Sequence, residues 1–230
     1  MTWKQVFTSS IGKKIVMALT GIFLITFLIV HMGVNACIFA MDGGEMFNKA
    51  AHFMGSTVLI RIAEIGLFAG IFIHIIQGIV LWYQNAQKRN IGYNIPMGNK
   101  GSKWYSRSMG LLGTILLLFF ILHWYHFWIP SRFTHTGLNE IAIKNSGEVL
   151  DMFSLMKITF ADLWVVIVYV FACGSLAFHL LHGFQSAFRT MGVGNKKWLG
   201  VVQAAGIGFS VLVPLVFAMM PISMYLGWVA

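Results

Sequence analysis

The sequence predicts an all-α integral membrane protein, a five-transmembrane-helix bundle. Three observations carry this. Of 230 residues, 58% are hydrophobic and only 10% charged, with a mean hydropathy of +0.77. Soluble domains carry about 25% charged residues, and a water-exposed surface cannot be built from so few. Five apolar stretches each exceed the roughly 20 residues that a helix needs to cross a bilayer. Such runs are far too long for barrel strands, so complete helices must satisfy the backbone in lipid.

The chain reads as a single membrane domain, residues 1–230. Helix I is expected from about Lys14 to Ala40, helix II from Thr57 to Asn85 and helix III from Ser106 to Trp128. Helix IV is expected from Thr159 to Phe188 and helix V from Leu199 to Met224. The first apolar run, Ile11 to Ala40, is too long for a cleavable signal and reads as a retained span. The longest connection, Ile129 to Ile158, holds Pro130, Gly137 and Gly147, and its Leu138 to Ile143 patch suggests an interfacial helical turn. No connection is large enough for a soluble catalytic domain.

Charge orients the spans. Lys4, Lys13, Lys14, Lys88, Arg89, Lys100, Lys103, Arg107, Arg189, Lys196 and Lys197 fall on one side, 11 of the 16 Lys and Arg, with no acidic residue among them. Asp42, Glu45, Lys49, Arg132, Glu140, Lys144, Glu148, Asp151 and Lys157 fall on the other. The positive-inside rule then places the N-terminus in the cytoplasm and the C-terminus outside. The net charge of +9 is a topology signal, and nucleic acid is excluded because the basic residues form no phosphate-tracking face. Cys37 and Cys173 lie within apolar runs and read as buried small hydrophobes, not as a disulfide or a zinc site.

The chemistry is in the histidines. There are eight, and six lie in predicted spans: His31, His74, His123, His126, His179 and His182. Ionisable groups in spans are rare and are functional candidates by default. Imidazole is an axial ligand for haem iron, and two histidines from different helices suffice for a six-coordinate b-type haem. Helices I to IV each carry at least one, enough for two bis-histidine haems. At 1.5 Å per residue, His31 lies about 26 Å along its helix from Lys14 and His123 about 24 Å from Arg107, so the two share an outer depth. His182 lies about 10 Å from Arg189, and His74 about 21 Å from Lys88. An outer pair, His31 with His123, and an inner pair, His74 with His182, follow. His126 and His179, each three residues from a candidate, remain alternates. Gly33, Gly78 and Gly183 stand near these positions and leave room for a bulky ring. His52 and His135 read as surface loop residues.

Arg61 and Glu64, at i and i+3 near the outer end of helix II, form either an interfacial pair or the polar lining of a quinone site. Gln77 and Ser108 are weaker polar candidates on the inner side. Asp162 reads as a cap charge at the start of helix IV or as a step in a proton route.

The histidine-bearing helices, with Phe178-His179-Leu180-Leu181-His182-Gly183-Phe184-Gln185-Ser186-Ala187-Phe188-Arg189, resemble the five-helix, di-haem cytochrome b membrane anchor of succinate dehydrogenase and fumarate reductase. The opening Ser9-Ser10-Ile11-Gly12-Lys13-Lys14, followed by Thr20-Gly21 and His31, is similar too, and the likeness covers nearly the whole chain. It implies haem ligands at His31, at His74 in His74-Ile75-Ile76-Gln77-Gly78, at His123 or His126, and at His182 or His179. It implies two haem b groups and menaquinone or another quinone. The implied partners are a flavoprotein and an iron–sulfur subunit on the cytoplasmic face of a bacterial inner membrane, with pairing of such heterotrimers left open. The chain itself would hold no succinate site and would serve as the electron-transferring, quinone-reacting subunit. Some di-haem fumarate reductases of this type carry a glutamate two residues before the fourth ligand. Here that position is Leu180, or Ala177 if His179 ligates, so that proton route is not implied. The competing readings are a cytochrome b subunit of a hydrogenase or formate dehydrogenase, and a haem-free proton-coupled transporter.

Overall fold

A computed structural model describes residues 9–87, 103–143 and 146–229. Lys4, Lys88, Arg89, Lys100 and Lys144 lie outside the described residues. Among the described residues, five helices are long and apolar enough to cross a membrane: Ser10–Ala40, Val58–Gln87, Met109–Thr134, Leu163–Thr190 and Lys196–Tyr225. They bear many uncovered apolar side chains, such as Leu59, Ile62, Ile65 and Ile76 on the second. In water that surface would aggregate, whereas lipid tails are a matching solvent for it.

Helix α1 (Ser10–Ala36) starts where the Ser9 hydroxyl accepts a hydrogen bond from Gly12 N at 3.0 Å. Serine is favoured there because it satisfies an otherwise orphaned helix donor. A 3₁₀ turn, Cys37–Ala40, ends at Met41 in the left-handed region. Asp42 then accepts from Gly44 N and Met46 N and opens α2 (Glu45–Ser56), a helix within the expected I–II loop. Gly44 has φ 84°, and an added Cβ there would run into the Phe153 ring, so glycine is required on both counts.

Extended Thr57 separates α2 from α3 (Val58–Gln87). The short α4 (Trp104–Arg107) leads into α5 (Met109–His123). The same span continues through π-helical turns at Trp124–Trp128 and Pro130–Thr134. Sequence placed its end at Trp128. The continuation is possible because Pro130 stands at the start of a turn, where its missing N–H is not needed.

The Leu138 to Ile143 patch is not a helical turn. Glu140–Ile143 (β1) pairs antiparallel with Gly147–Leu150 (β2), with Glu140 opposite Leu150 and Ile143 opposite Gly147. Alternation around two isoleucines, closed by Gly147 at φ 73°, favours the hairpin. Helix α6 (Met152–Thr159) follows, then α7 (Leu163–Thr190), whose first turn is capped by Asp162 accepting from Trp164 N at 2.9 Å. Helix α8 (Lys196–Tyr225) is capped by Asn195 and contains Pro214 and Pro221.

The chain forms two compact units. The first comprises Met1–Phe27, Leu67–Leu116 and Ser175–Leu212. The second comprises Leu28–Gly66, Leu117–Gly174 and Val213–Ala230. The second unit has a buried cluster around Ile38, Phe47, Phe153, Phe160, Tyr169 and Met224. Its polar clasp is Asn48, whose amide donates to Asp151 at 2.9 Å and whose carbonyl accepts from Phe153 N at 2.9 Å. The first unit closes over glycines: an added Cβ at Gly70 would meet the Phe23 ring at 2.9 Å, and one at Gly206 the Phe184 ring at 2.9 Å. Missing side chains let membrane helices approach closely.

Candidate functional site

Each unit holds one pair of histidines from different helices. In the second unit, His31 of α1 and His123 at the end of α5 face each other with ring centres 5.9 Å apart and planes at 87°. In the first unit, His74 of α3 and His179 of α7 have ring centres 6.3 Å apart and planes at 57°. All four rings lie deep among protein atoms, yet part of each surface stays uncovered.

The local sequence aims each ring. On α1, Asn35 lies one turn beyond His31. Its amide donates to the His31 carbonyl at 2.8 Å and lies 3.4 Å from His31 Nδ1. The Phe217 ring sits 5.6 Å from His31. His123 is the last residue before the π-helical turn, flanked by Phe119 and Phe127, each at 5.5 Å. Such turns recur at functional sites because the extra residue redirects the side chains around them. His126, within that turn, stacks on Tyr169 at 5.9 Å and 14°, with Nδ1 3.1 Å from the tyrosine hydroxyl.

In the first unit, His74 Nδ1 lies 3.0 Å from Thr20 Oγ1, and a Cβ added to Gly21 would rest on the His74 ring at an ordinary 3.7 Å. The ring that meets His74 is that of His179, the sequence alternate. His182, the first choice from sequence, is half-buried one turn along α7.

The pairs can be tested against the group they suggest. Two metal–nitrogen bonds of about 2.0–2.1 Å, plus about 1.1 Å from each nitrogen to its ring centre, give a separation of about 6.3 Å. The observed ring-centre separations, 5.9 and 6.3 Å, are of that length. The donor set agrees. Among the described residues no group of three or more His, Cys, Asp or Glu is placed to hold a metal ion. Two imidazoles leave a bare zinc ion short of its usual four ligands, whereas haem brings four nitrogens of its own and needs only two axial partners. Each pair also has one unsatisfied member: His123 Nδ1 and His179 Nδ1 are buried without a hydrogen-bond partner among the described residues. The residues therefore fit haem at both sites.

The remaining candidates fall elsewhere. Glu64 is fully engaged: Arg61 lies at 2.5 Å, Trp128 Nε1 donates at 2.6 Å, and Arg132 Nε lies at 3.3 Å. Arg132 and Trp128, not visible as partners in sequence, make it a tie between α3 and the π-helical end of the third span. Gln77 is buried with its Oε1 unpartnered among the described residues, and Ser108 joins α4 to α5. Asp162 is a helix cap. Gly33 and Gly183 face open space, while Gly78 faces the end of Met17. His52 and His135 are exposed. No protein-family model, curated protein or solved structure matches this chain.

Proposed function

We propose that this chain is a di-haem cytochrome b anchor of a succinate dehydrogenase or fumarate reductase, carrying electrons between an iron–sulfur subunit and membrane menaquinone. The observation that supports it most is the double histidine pair, one per unit, each drawn from two helices and spaced for one iron. Haem at each pair supplies a one-electron carrier and the remaining redox chemistry.

The chain's own residues do the rest. His31 and His123 would hold one haem, the outer, and His74 and His179 the other, the inner. His179 takes the place that sequence gave to His182, because its ring is the one beside His74. Phe119, Phe127 and Phe217 keep water from the outer pair. Glu64 and Arg61 are kept as one wall of a quinone site beside the outer pair. With its carboxylate bound to two arginines and an indole, Glu64 shapes that wall.

The basic segments put the N-terminus in the cytoplasm and the C-terminus outside in a bacterial inner membrane. They also give a positive face on which the flavoprotein and iron–sulfur subunits dock. Purification of the tagged chain from its native membrane in mild detergent tests the assignment. Co-purification of both soluble subunits with succinate-reducible b-type absorption is expected. A haem-free complex contradicts it.

A further inference from the structure

The Thr20 hydroxyl has three polar neighbours and one hydrogen to give. Val16 O lies at 2.8 Å, Met17 O at 3.2 Å and His74 Nδ1 at 3.0 Å. Carbonyl oxygens cannot donate, so the hydrogen in the short contact to Val16 must come from Thr20. Were it turned toward His74, two bare oxygens would face each other at 2.8 Å. The hydroxyl hydrogen is therefore spent on the preceding turn of α1, a common arrangement for threonine within a helix. Toward His74 the oxygen can only accept.

We infer that Thr20 is a positioning residue that holds His74 as the tautomer with hydrogen on Nδ1, leaving the Nε2 lone pair as the ring's ligating atom. The inference deepens the di-haem reading and rests on it for the ligand, although the tautomer itself belongs to this chain alone. The partner on the far nitrogen fixes tautomer and ring angle and raises ligand basicity. His179 has no such support, its Nδ1 being unpartnered among the described residues. Thr20 thus acts on the pair through His74 only. Gly21 completes the seat without being required by it, since an added methyl there meets His74 at an ordinary contact distance.

The test compares wild type with Thr20→Val and Thr20→Ser in the purified complex, by redox titration of the two b-type signals. Losing the acceptor makes His74 a weaker donor and favours the reduced state. Thr20→Val is expected to raise one midpoint potential, leave the other unmoved and retain both haems, and Thr20→Ser to restore the wild-type value. Two unmoved potentials in Thr20→Val overturn the inference. A wild-type complex without haem defeats the functional reading instead. In that event ¹⁵N NMR of the histidine-labelled chain in bilayers decides the inference on its own, with His74 identified by its loss in His74→Gln. A hydrogen on Nδ1 supports it, and a hydrogen on Nε2 overturns it. The wild-type spectrum suffices if Thr20→Val does not fold.

Discussion

The Trp128 indole donates a 2.6 Å hydrogen bond to Glu64, joining residues that stand 64 positions apart. The same carboxylate lies 3.3 Å from Arg132 and 2.5 Å from Arg61. Its partners differ in exposure: the Arg132 side chain is 22% exposed and that of Arg61 46%. Glu64→Ala leaves a largely covered guanidinium and an indole N–H without their acceptor, which costs about 1–3 kcal/mol. Arg61→Ala removes an exposed pair worth at most about 1 kcal/mol. Thermal unfolding in detergent, followed by tryptophan fluorescence, should show a clear loss for Glu64→Ala and a small one for Arg61→Ala. The reverse order would show that Arg132 and Trp128 do not depend on Glu64.

Asp151 makes the hairpin region acid-sensitive. Burial raises its carboxyl pKa, but hydrogen bonds from the Ser154 side chain and amide, and from Asn48, outweigh it and hold the group below the ordinary 3.8. A folded pKa below the unfolded one contributes stability that is present above 3.8 and lost as pH falls through the lower folded value. Amide exchange at Phe153 and Ser154 should be slow at neutral pH and accelerate in acid. In Asp151→Asn the rates, corrected for intrinsic chemistry, should lose most of that dependence.

Glycine packing separates two classes of substitution. Gly206→Ala drives a methyl to 2.9 Å from the ring of buried Phe184 and should cost about 1–3 kcal/mol by overpacking. Gly200→Ala meets nothing and adds helix propensity, so it should be neutral or stabilising. Unfolding midpoints of the two variants in the same detergent check the contrast. Equal destabilisation would mean that the Phe184 contact is not what matters.

The five spans were legible because lipid imposes one simple rule on length and polarity, and the six histidines stood out against that background. What lies between spans was not legible. Helix α2 and the hairpin are short, mixed in polarity and held by contacts such as Asn48 to Asp151, 103 residues apart. The choice between His179 and His182 was not legible for a different reason. A regular helix puts both on a similar face, and a depth count from Arg189 cannot see which ring turns toward α3. Between His123 and His126 the helix passes into a π-helical turn, which hydrophobic periodicity does not announce. Thr20 was visible only as part of a motif, because nothing in sequence ties it to a residue 54 positions away. Asn35, at i+4 from His31, was within reach of spacing alone.

Exposed His52 and His135, with half-buried His126, form an internal control. His52→Ala and His135→Ala should leave every spectroscopic signal unchanged, since both side chains lie at the surface. His126→Ala removes the partner of Tyr169 and should perturb the outer signal without abolishing it. Reduced-minus-oxidised spectra of the three variants check this. Complete loss of one haem in His126→Ala would move the outer ligand from His123 to His126.

The most direct test of the paired-histidine account is haem stoichiometry per chain in the purified complex, measured by pyridine haemochromogen for wild type, His31→Ala, His179→Ala and His182→Ala. The account predicts two haems in wild type, one in His31→Ala, one in His179→Ala and two in His182→Ala. No haem in wild type, or two retained in both His31→Ala and His179→Ala, would contradict it.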